Sequence, residues 1–350
     1  MARQKQHGDR QMAAEVAAVA DRIRPPVLLI LGSPREAGVL VAQLECPEIV
    51  CYQMDLYQAE RLEQELGAAG HPARVVTAAD LWDLSADFQT AIYPAPQGGE
   101  RMLKLDMIEQ AFHVLRPRGT LFVLSPYDKE QLFPVSLKKI FGRVHAPAAG
   151  GGNVLWCRRE GDRPRRRHEI TFQARLDAET SLRFLSRPGV FSYGRFDNGA
   201  RALVETMQIE PGDRVLDVGC GCGTNGIWAG RLSGPAGGTT LVDSNVRAVA
   251  LAEINAKGNG LTTFQTLASS NVEGLEEKCF DVALANPPYY AQLSIAQLFI
   301  ERCRQLLRPG GRFYLVTRQP DQVGPLVADV FGRTEVVERR GYIVLCATPP

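Results

Sequence analysis

The chain repeats its own outline at an interval near 190 residues, so whatever it folds into is built twice. Asp55 matches Asp243 at an offset of 188, and Leu115-Arg116-Pro117-Arg118-Gly119 matches Leu307-Arg308-Pro309-Gly310-Gly311 at 192. Phe141-Gly142-Arg143 matches Phe331-Gly332-Arg333 at 190. In the first copy, short apolar runs at 27–31, 49–54, 73–77, 89–93 and 120–124 read as strands, with a helix over 101–115. In the second, the strands are 215–218, 239–242, 264–267, 280–285 and 312–316, with a helix over 294–307. Strands alternating with helical stretches predict a mostly parallel sheet covered by helices. Each copy ends in a predicted antiparallel hairpin, the first turning through Gly150-Gly151-Gly152 and the second at Arg340-Gly341. An amphipathic helix over 11–24, closed by Pro25-Pro26, precedes the first copy, and a small hairpin over 170–185 precedes the second.

A chain of 350 residues suits two domains of this kind, here 1–165 and 166–350. A net charge of +1 gives no global nucleic-acid footprint, so any basic surface must be local. The eight cysteines form no Cys-x-x-Cys ligand pair, which argues against zinc, and their apolar settings fit free thiols in a reducing compartment. No apolar run approaches the ~20 residues that a membrane span needs. The amino terminus lacks a signal-peptide core. The expectation is a cytoplasmic monomer without metal.

The chemistry concentrates after the strand 280–285. Asn286-Pro287-Pro288-Tyr289-Tyr290 stops that strand, because neither proline can donate to a ladder. The break leaves Asn286 at a strand's carboxyl end, where open α/β sheets hold ligands. The Asn286 amide oxygen and the Pro287 carbonyl can together accept two hydrogen bonds from one exocyclic NH2 group. Tyr289 offers a face on which a flat ring stacks, and Tyr290 stands beside it. Amine plus flat ring points to a nucleobase, or to a side-chain amide. A bare strand followed by a Pro-rich turn is the plainer alternative.

Upstream, Asp217-Val218-Gly219-Cys220-Gly221-Cys222-Gly223 follows a strand and opens an apolar helix. Glycines there let the backbone approach a ligand. A nicotinamide or flavin loop has Gly-x-Gly-x-x-Gly spacing, whereas this one is Gly-x-Gly-x-Gly. Asp217 suits a cationic amino group better than a pyrophosphate. Asp243, ending the next strand, can accept both hydroxyls of a ribose or can cap a helix. Ser269, Ser270 and Asn271 can reach an adenine ring or form an ordinary polar loop. Phe191 and Phe196 can cover a ligand, with Asp197 near its amino-acid end. An acid for an amino group, an acid for a ribose and polar groups for adenine describe S-adenosylmethionine.

The first copy has Gly32-Ser33-Pro34-Arg35 and Tyr93-Pro94-Ala95-Pro96 at the corresponding places, so it is expected to bind no cofactor and to support folding or hold RNA. Between the copies, residues 158–168 hold six arginines against two acids. Arg165, Arg166 and Arg167 read either as a solvated linker or as phosphate contacts.

The second half resembles class I S-adenosylmethionine-dependent methyltransferases. The whole chain resembles the bacterial ribosomal RNA guanine-N2 methyltransferases, of the small-subunit type with large-subunit relatives. Pro188-Gly189-Val190-Phe191-Ser192, Asp197-x-Gly199, the loop 217–223, residues 268–272 and Asn286-Pro287-Pro288 carry that resemblance. It implies two tandem Rossmann-like α/β domains, the first degenerate, each with a mostly parallel seven-stranded sheet and an antiparallel C-terminal hairpin. It also implies that Asp217, Gly219, Gly221, Gly223 and Asp243 hold S-adenosylmethionine, that Asn286 and Pro287 hold a guanine N2 amine, and that Tyr289 stacks on the base. Ribosomal RNA, or the ribosomal subunit, is the implied partner. The family often has Phe-His where this chain has Tyr289-Tyr290. Adenine-N6 and glutamine-N5 methyltransferases share Asn-Pro-Pro-Tyr, so both acceptors stay open. A non-enzymatic RNA-binding assembly protein is the third alternative.

Overall fold

The computed structural model describes residues 11–349 except 45, 86, 128–130, 148–152, 177–179 and 289–292. It divides into two compact units, Met1–His168 and Glu169–Pro350. His168 stays with the first unit because its ring bonds Glu109 at 2.8 Å.

The first unit runs β1 Val27–Ile30, α1 Pro34–Leu44, β2 Ile49–Gln53, α2 Leu56–Ala68, β3 Arg74–Thr77, β4 Phe88–Pro94, α3 Arg101–Val114, β5 Leu115–Leu124, α4 Leu132–Phe141 and β6 Val154–Arg158. The second runs β7 Ile170–Arg175, β8 Ser181–Ser186, α5 Asn198–Thr206, β9 Arg214–Val218, α6 Thr224–Ser233, β10 Gly238–Asp243, α7 Val246–Gly258 and β11 Phe264–Ala268. It continues with β12 Phe280–Ala285, α8 Leu293–Leu306, β13 Leu307–Thr317, α9 Pro320–Phe331, β14 Thr334–Arg339 and β15 Tyr342–Ala347.

The sheets are ordered β3-β2-β1-β4-β5-β6 and β11-β10-β9-β12-β13-β15-β14. The pairs among β1–β5 are parallel, as are those among β9–β13; β6 and β15 join their sheets antiparallel. β1, β4, β9 and β12 are central strands, buried along nearly their whole length, and mostly apolar for that reason. Both sheets shift register at the same place, where β4 meets β5 and where β12 meets β13. An arginine–aspartate pair stands beside each shift, Arg116–Asp87 and Arg308–Asp281.

One sheet departs from the expected seven strands. Among the described residues the first has six, and in place of an outer hairpin strand a single bridge joins His145 to Trp156. Pro147 has no N–H to extend that pairing. The matching strand β14, Thr-Glu-Val-Val-Glu-Arg, is rich in β-branched residues and pairs with β15 along its whole length. The N-terminal helix is also shorter than expected: helical turns cover 11–17, and a separate 3-10 turn follows at Ala20–Arg22.

The basic segment after β6 folds back onto its own unit. Arg163 donates to Glu109 at 3.0 Å and to the Ile140 carbonyl at 3.0 Å, and the Arg165 guanidinium lies 5.6 Å from the Trp82 ring centre. Burial acts to raise the Glu109 carboxyl, but the His168 bond and the charges of Arg163 and Arg166 bring it below the usual range.

Candidate active site

In the second sheet the connections run outward in both directions from β9 and β12, which pair with Ala285 opposite Val218. Their carboxyl ends therefore flank the crevice at which such sheets bind ligands. The glycine loop leaves β9 on one side, and Asn286 leaves β12 on the other. Asn286, Asp197, Phe191, Arg195, Thr224 and Asn225 line one narrow cleft with the loop residues Gly219 to Cys222.

The loop is pinned from behind. Gly219 and Cys220 both donate to the Val242 carbonyl, at 2.8 and 3.0 Å. The Gly226 N–H donates to Asp217 Oδ2 at 2.7 Å, and Asp217 is 1% exposed. Asp217 thus lies beneath the loop and does not line the cleft. Burial pushes its carboxyl up to about 7; the Gly226 bond opposes this and the charge of Asp243 adds to it. Asp243 is half-buried, and each of its oxygens takes a backbone N–H: Gly221 at 2.8 Å and Asn245 at 2.8 Å.

The three loop glycines have different reasons to be glycine. All have positive φ, at 71° for Gly219, 56° for Gly221 and 91° for Gly223. A Cβ on Gly219 would meet Phe299 at 2.8 Å, and one on Gly223 would meet Ile227 at 2.8 Å. A Cβ on Gly221 would meet nothing closer than Phe191, at 4.0 Å. Side-chain packing crowds the first and third, while Gly221 turns its bare face to the cleft.

The segment before α5 forms the opposite wall, and α7 holds it there. Arg247, fully buried, donates to the Pro188 carbonyl, and Asn245 Nδ2 donates to the Gly189 carbonyl at 2.8 Å. Asn255 accepts the Leu185 N–H at 2.7 Å and donates to the Leu185 and Cys222 carbonyls at 2.9 and 2.8 Å. It therefore ties the hairpin strand β8 to the glycine loop. Asp197 caps α5 by accepting the Ala200 N–H at 2.9 Å. Asn225 is 5% exposed, and its Oδ1 has no hydrogen-bond partner among the described residues.

The remaining expected residues fall as follows. Pro287 is buried next to Asn286. Ser270 and Asn271 follow β11, where Asn271 Oδ1 accepts from the Ser269 hydroxyl at 3.2 Å and from the Glu273 N–H at 3.2 Å. Neither lines the cleft. Tyr289 and Tyr290 lie outside the described residues. Arg165, Arg166 and Arg167 belong to the first unit. Among the described residues there is no cluster of metal-ligating side chains, and no helix is long and apolar enough to cross a membrane. Asn245, Arg247 and Asn255 were not anticipated; the only sequence signal was Asn245 ahead of α7 and an arginine and an asparagine among its many alanines and apolar residues.

Residues 181–346 match the model of the methyltransferase small domain family. That stretch lies within the second unit. A curated relative, the ribosomal RNA small subunit methyltransferase C of Pseudomonas entomophila (strain L48), is 31% identical over 172 residues. That match covers 48% of this chain and 51% of the relative, so the chain spans about half the length of that protein. The protein of the same name from Pseudomonas syringae pv. syringae (strain B728a) is 27% identical over 294 residues, 82% of each chain. Among solved structures, a T. thermophilus 16S rRNA N2 G1207 methyltransferase, in complex with AdoMet and guanosine, superposes with a TM-score of 0.75. It is 24% identical and covers 95% of this chain and 91% of its own, which extends the shared fold across both units.

The first unit differs from the second at the place that corresponds to the glycine loop. Ser33 and Glu36 cap α1 reciprocally, with Ser33 N–H to Glu36 Oε2 at 3.0 Å and Glu36 N–H to Ser33 Oγ at 3.3 Å. Gln53 Nε2 donates to the Gly32 carbonyl at 2.6 Å, and a Cβ on Gly32 would meet Pro94 at 3.3 Å.

Proposed function

We propose that the second unit transfers a methyl group from S-adenosylmethionine to the exocyclic N2 amine of a guanine in ribosomal RNA, of the small subunit. The observation that carries this reading is the meeting of Asn286, Asp197 and the Gly219–Cys222 loop in one cleft at the carboxyl ends of β9 and β12. The curated relatives are named as small-subunit ribosomal RNA methyltransferases, and the T. thermophilus protein was solved with guanosine as well as AdoMet.

The cleft suits the cofactor. Gly221 leaves open space where any side chain would intrude, and the unpartnered Asn225 Oδ1 offers an acceptor. Asp243 would receive the ribose hydroxyls, Ser270 and Asn271 would serve the adenine edge, and Asp197 would face the amino-acid end. Asp217 would act through the loop it anchors. When bound, S-adenosylmethionine supplies a methyl group on a positively charged sulfur.

Asn286 and Pro287 do the rest by positioning. Their two oxygens would take both amine hydrogens, leaving the nitrogen lone pair turned into the cleft. A guanine N2 lone pair is delocalised into its ring. Hydrogen bonds that strengthen as the nitrogen becomes positive favour the transition state over the ground state. Tyr289 would stack on the base, with Tyr290 alongside, and a base in folded RNA would first have to leave its stack. Arg195 brings a cation to the cleft wall, suited to an anionic group.

The first unit, in this reading, is a degenerate copy of the second, produced by duplication. The common register shift and the paired Arg116–Asp87 and Arg308–Asp281 contacts support a common origin. It binds no cofactor and supports folding or holds RNA; the protein works as a cytoplasmic monomer without metal.

The test is transfer from radiolabelled S-adenosylmethionine to unmodified small subunits, large subunits and free ribosomal RNA, with digested nucleosides identified by mass spectrometry. The expected product is N2-methylguanosine, and the labelled particle names the substrate. Label in N6-methyladenosine would move the acceptor, and label in no RNA would overturn the reading.

A further inference from the structure

The outer edge of the first sheet carries features that the catalytic reading does not use. β6 pairs with β5 on one side, whereas on the other side, among the described residues, only Trp156 is paired, exchanging two 2.9 Å backbone bonds with His145. Around this bridge lies a cleft of about 290 Å³ lined by Arg22, Arg143, His145, Trp156, Arg158 and Glu160.

Its components are arranged in a definite way. The Trp156 indole rests on Phe122 from the core, with ring centres 6.4 Å apart. His145 stacks on the indole at 5.7 Å and 16°, and the Arg22 guanidinium lies 5.0 Å from the same ring. Arg143, His145 and Arg158 are exposed. Among the described residues neither Arg143 nor Arg158 takes part in an ion pair. Arg22 meets Asp21 only at 3.8 Å, in a largely exposed pair that water screens. The neighbouring arginines behave otherwise: Arg159 donates to the Leu115 carbonyl and Asp162, and Arg163 to Glu109 and Ile140. The basic segment thus commits Arg159 and Arg163 to the interior and leaves Arg158 on this face.

Positive charge on an edge strand discourages edge-to-edge aggregation. That purpose explains arginines, but it does not require a cleft or an exposed imidazole held flat against an indole. Guanidinium groups around a flat aromatic platform are the components that bind single-stranded nucleic acid, the cations on phosphates and the ring under a base.

We infer that this cleft binds a single-stranded or looped stretch of RNA, with phosphates on Arg22, Arg143 and Arg158 and one base on the exposed face of His145. The inference rests on the reading of the second unit as an RNA-modifying enzyme, but it concerns a different surface and a different measurement.

The experiment measures binding of the full-length protein to fluorescent fragments of small-subunit ribosomal RNA across a salt series. The variants are Arg143→Glu/Arg158→Glu, His145→Ala, His145→Phe and, as a control on α2, Arg61→Glu. The double reversal should weaken RNA binding at least ~10-fold and lower the salt slope by about 2, for two lost phosphate contacts. His145→Ala should weaken it roughly 10-fold, and His145→Phe should restore it, because stacking needs a flat ring and no charge. Thermal melting and S-adenosylmethionine affinity, by calorimetry, should match the parent. Parental affinity and salt slope in the double reversal would overturn the inference, as would an equal loss in Arg61→Glu. Absence of methyl transfer to any RNA, with these binding losses intact, would count against the catalytic reading and leave this surface standing.

Discussion

Asp243 accepts the Gly221 N–H at 2.8 Å, so the carboxylate assigned to the ribose also sets the loop against which the cofactor would lie. Gly221 itself is open toward the cleft, with Phe191 Cβ its nearest neighbour at 4.0 Å. Gly221→Ala should therefore cost the fold only the strain of a positive φ, about 1 kcal/mol. Its methyl group would stand where the cofactor's backbone contact belongs. Calorimetry should show S-adenosylmethionine affinity falling at least ~10-fold with a nearly unchanged melting temperature. A variant that binds as the parent does would remove Gly221 from the site.

Asn255 gives the second unit a structural bracket. Its side chain satisfies one N–H and two carbonyls, on Leu185 and Cys222, at 3% exposure. Truncation to Ala leaves buried backbone groups without partners, at a cost of about 2–4 kcal/mol. The second unit should melt roughly 5–10 °C lower. Asn255→Asp keeps the acceptor for Leu185 and loses both donors, so it too should melt below the parent. An unchanged melt in Asn255→Ala would show that water replaces all three bonds.

Asp217 makes stability depend on pH in the unusual direction. Burial holds its folded carboxyl at about 7, well above the ordinary carboxylate range. Below pH 4 the group is protonated folded and unfolded alike, and its burial carries no charge penalty. Between pH 4 and 7 the unfolded chain releases the proton while the folded chain retains it, so stability falls by a few kcal/mol and then levels off. Asp217→Asn keeps an acceptor for Gly226 and removes the titration. Denaturant unfolding at pH 5 and pH 8 should show the parent losing stability relative to this variant. A constant difference between the two proteins would mean that Asp217 is already ionised at pH 5.

Legibility followed chemistry along the chain. The run Phe280–Ala285 could be bounded to the residue, because apolar side chains start it and prolines that cannot donate end it. The closing hairpin was legible from its turn at Arg340-Gly341, where β14 and β15 pair antiparallel. What stayed hidden depends on partners far away in sequence. Asn255 bonds Leu185 and Arg247 bonds Pro188, and no periodicity reports on such contacts. The side of the loop on which Asp217 lies was hidden too: its spacing from Gly219 allows an outward or an inward carboxylate, and the Gly226 N–H takes it inward. The basic segment looked uniform as composition, yet Glu109 and Trp82 draw Arg163 and Arg165 onto the first unit.

Asn286 is the residue on which the chemistry should turn. It follows the last residue of β12, beside the loop that leaves β9, and it lines the cleft with Asp197 and Gly221. In the proposed mechanism its amide oxygen holds one amine hydrogen while Pro287 holds the other, and both contacts strengthen as the nitrogen gains charge. Asn286→Ala removes the first contact and leaves the glycine loop, Asp243 and α7 in place. Turnover on the RNA substrate should fall at least ~100-fold, while S-adenosylmethionine affinity should change less than threefold. Asn286→Asp retains an acceptor but places an anion beside the base, so it should keep a fraction of the parent rate. Single-turnover kinetics separate the two effects by reading the chemical step apart from binding. A parental rate in Asn286→Ala would mean that the strand-end amide does not hold the acceptor, whatever the loop binds.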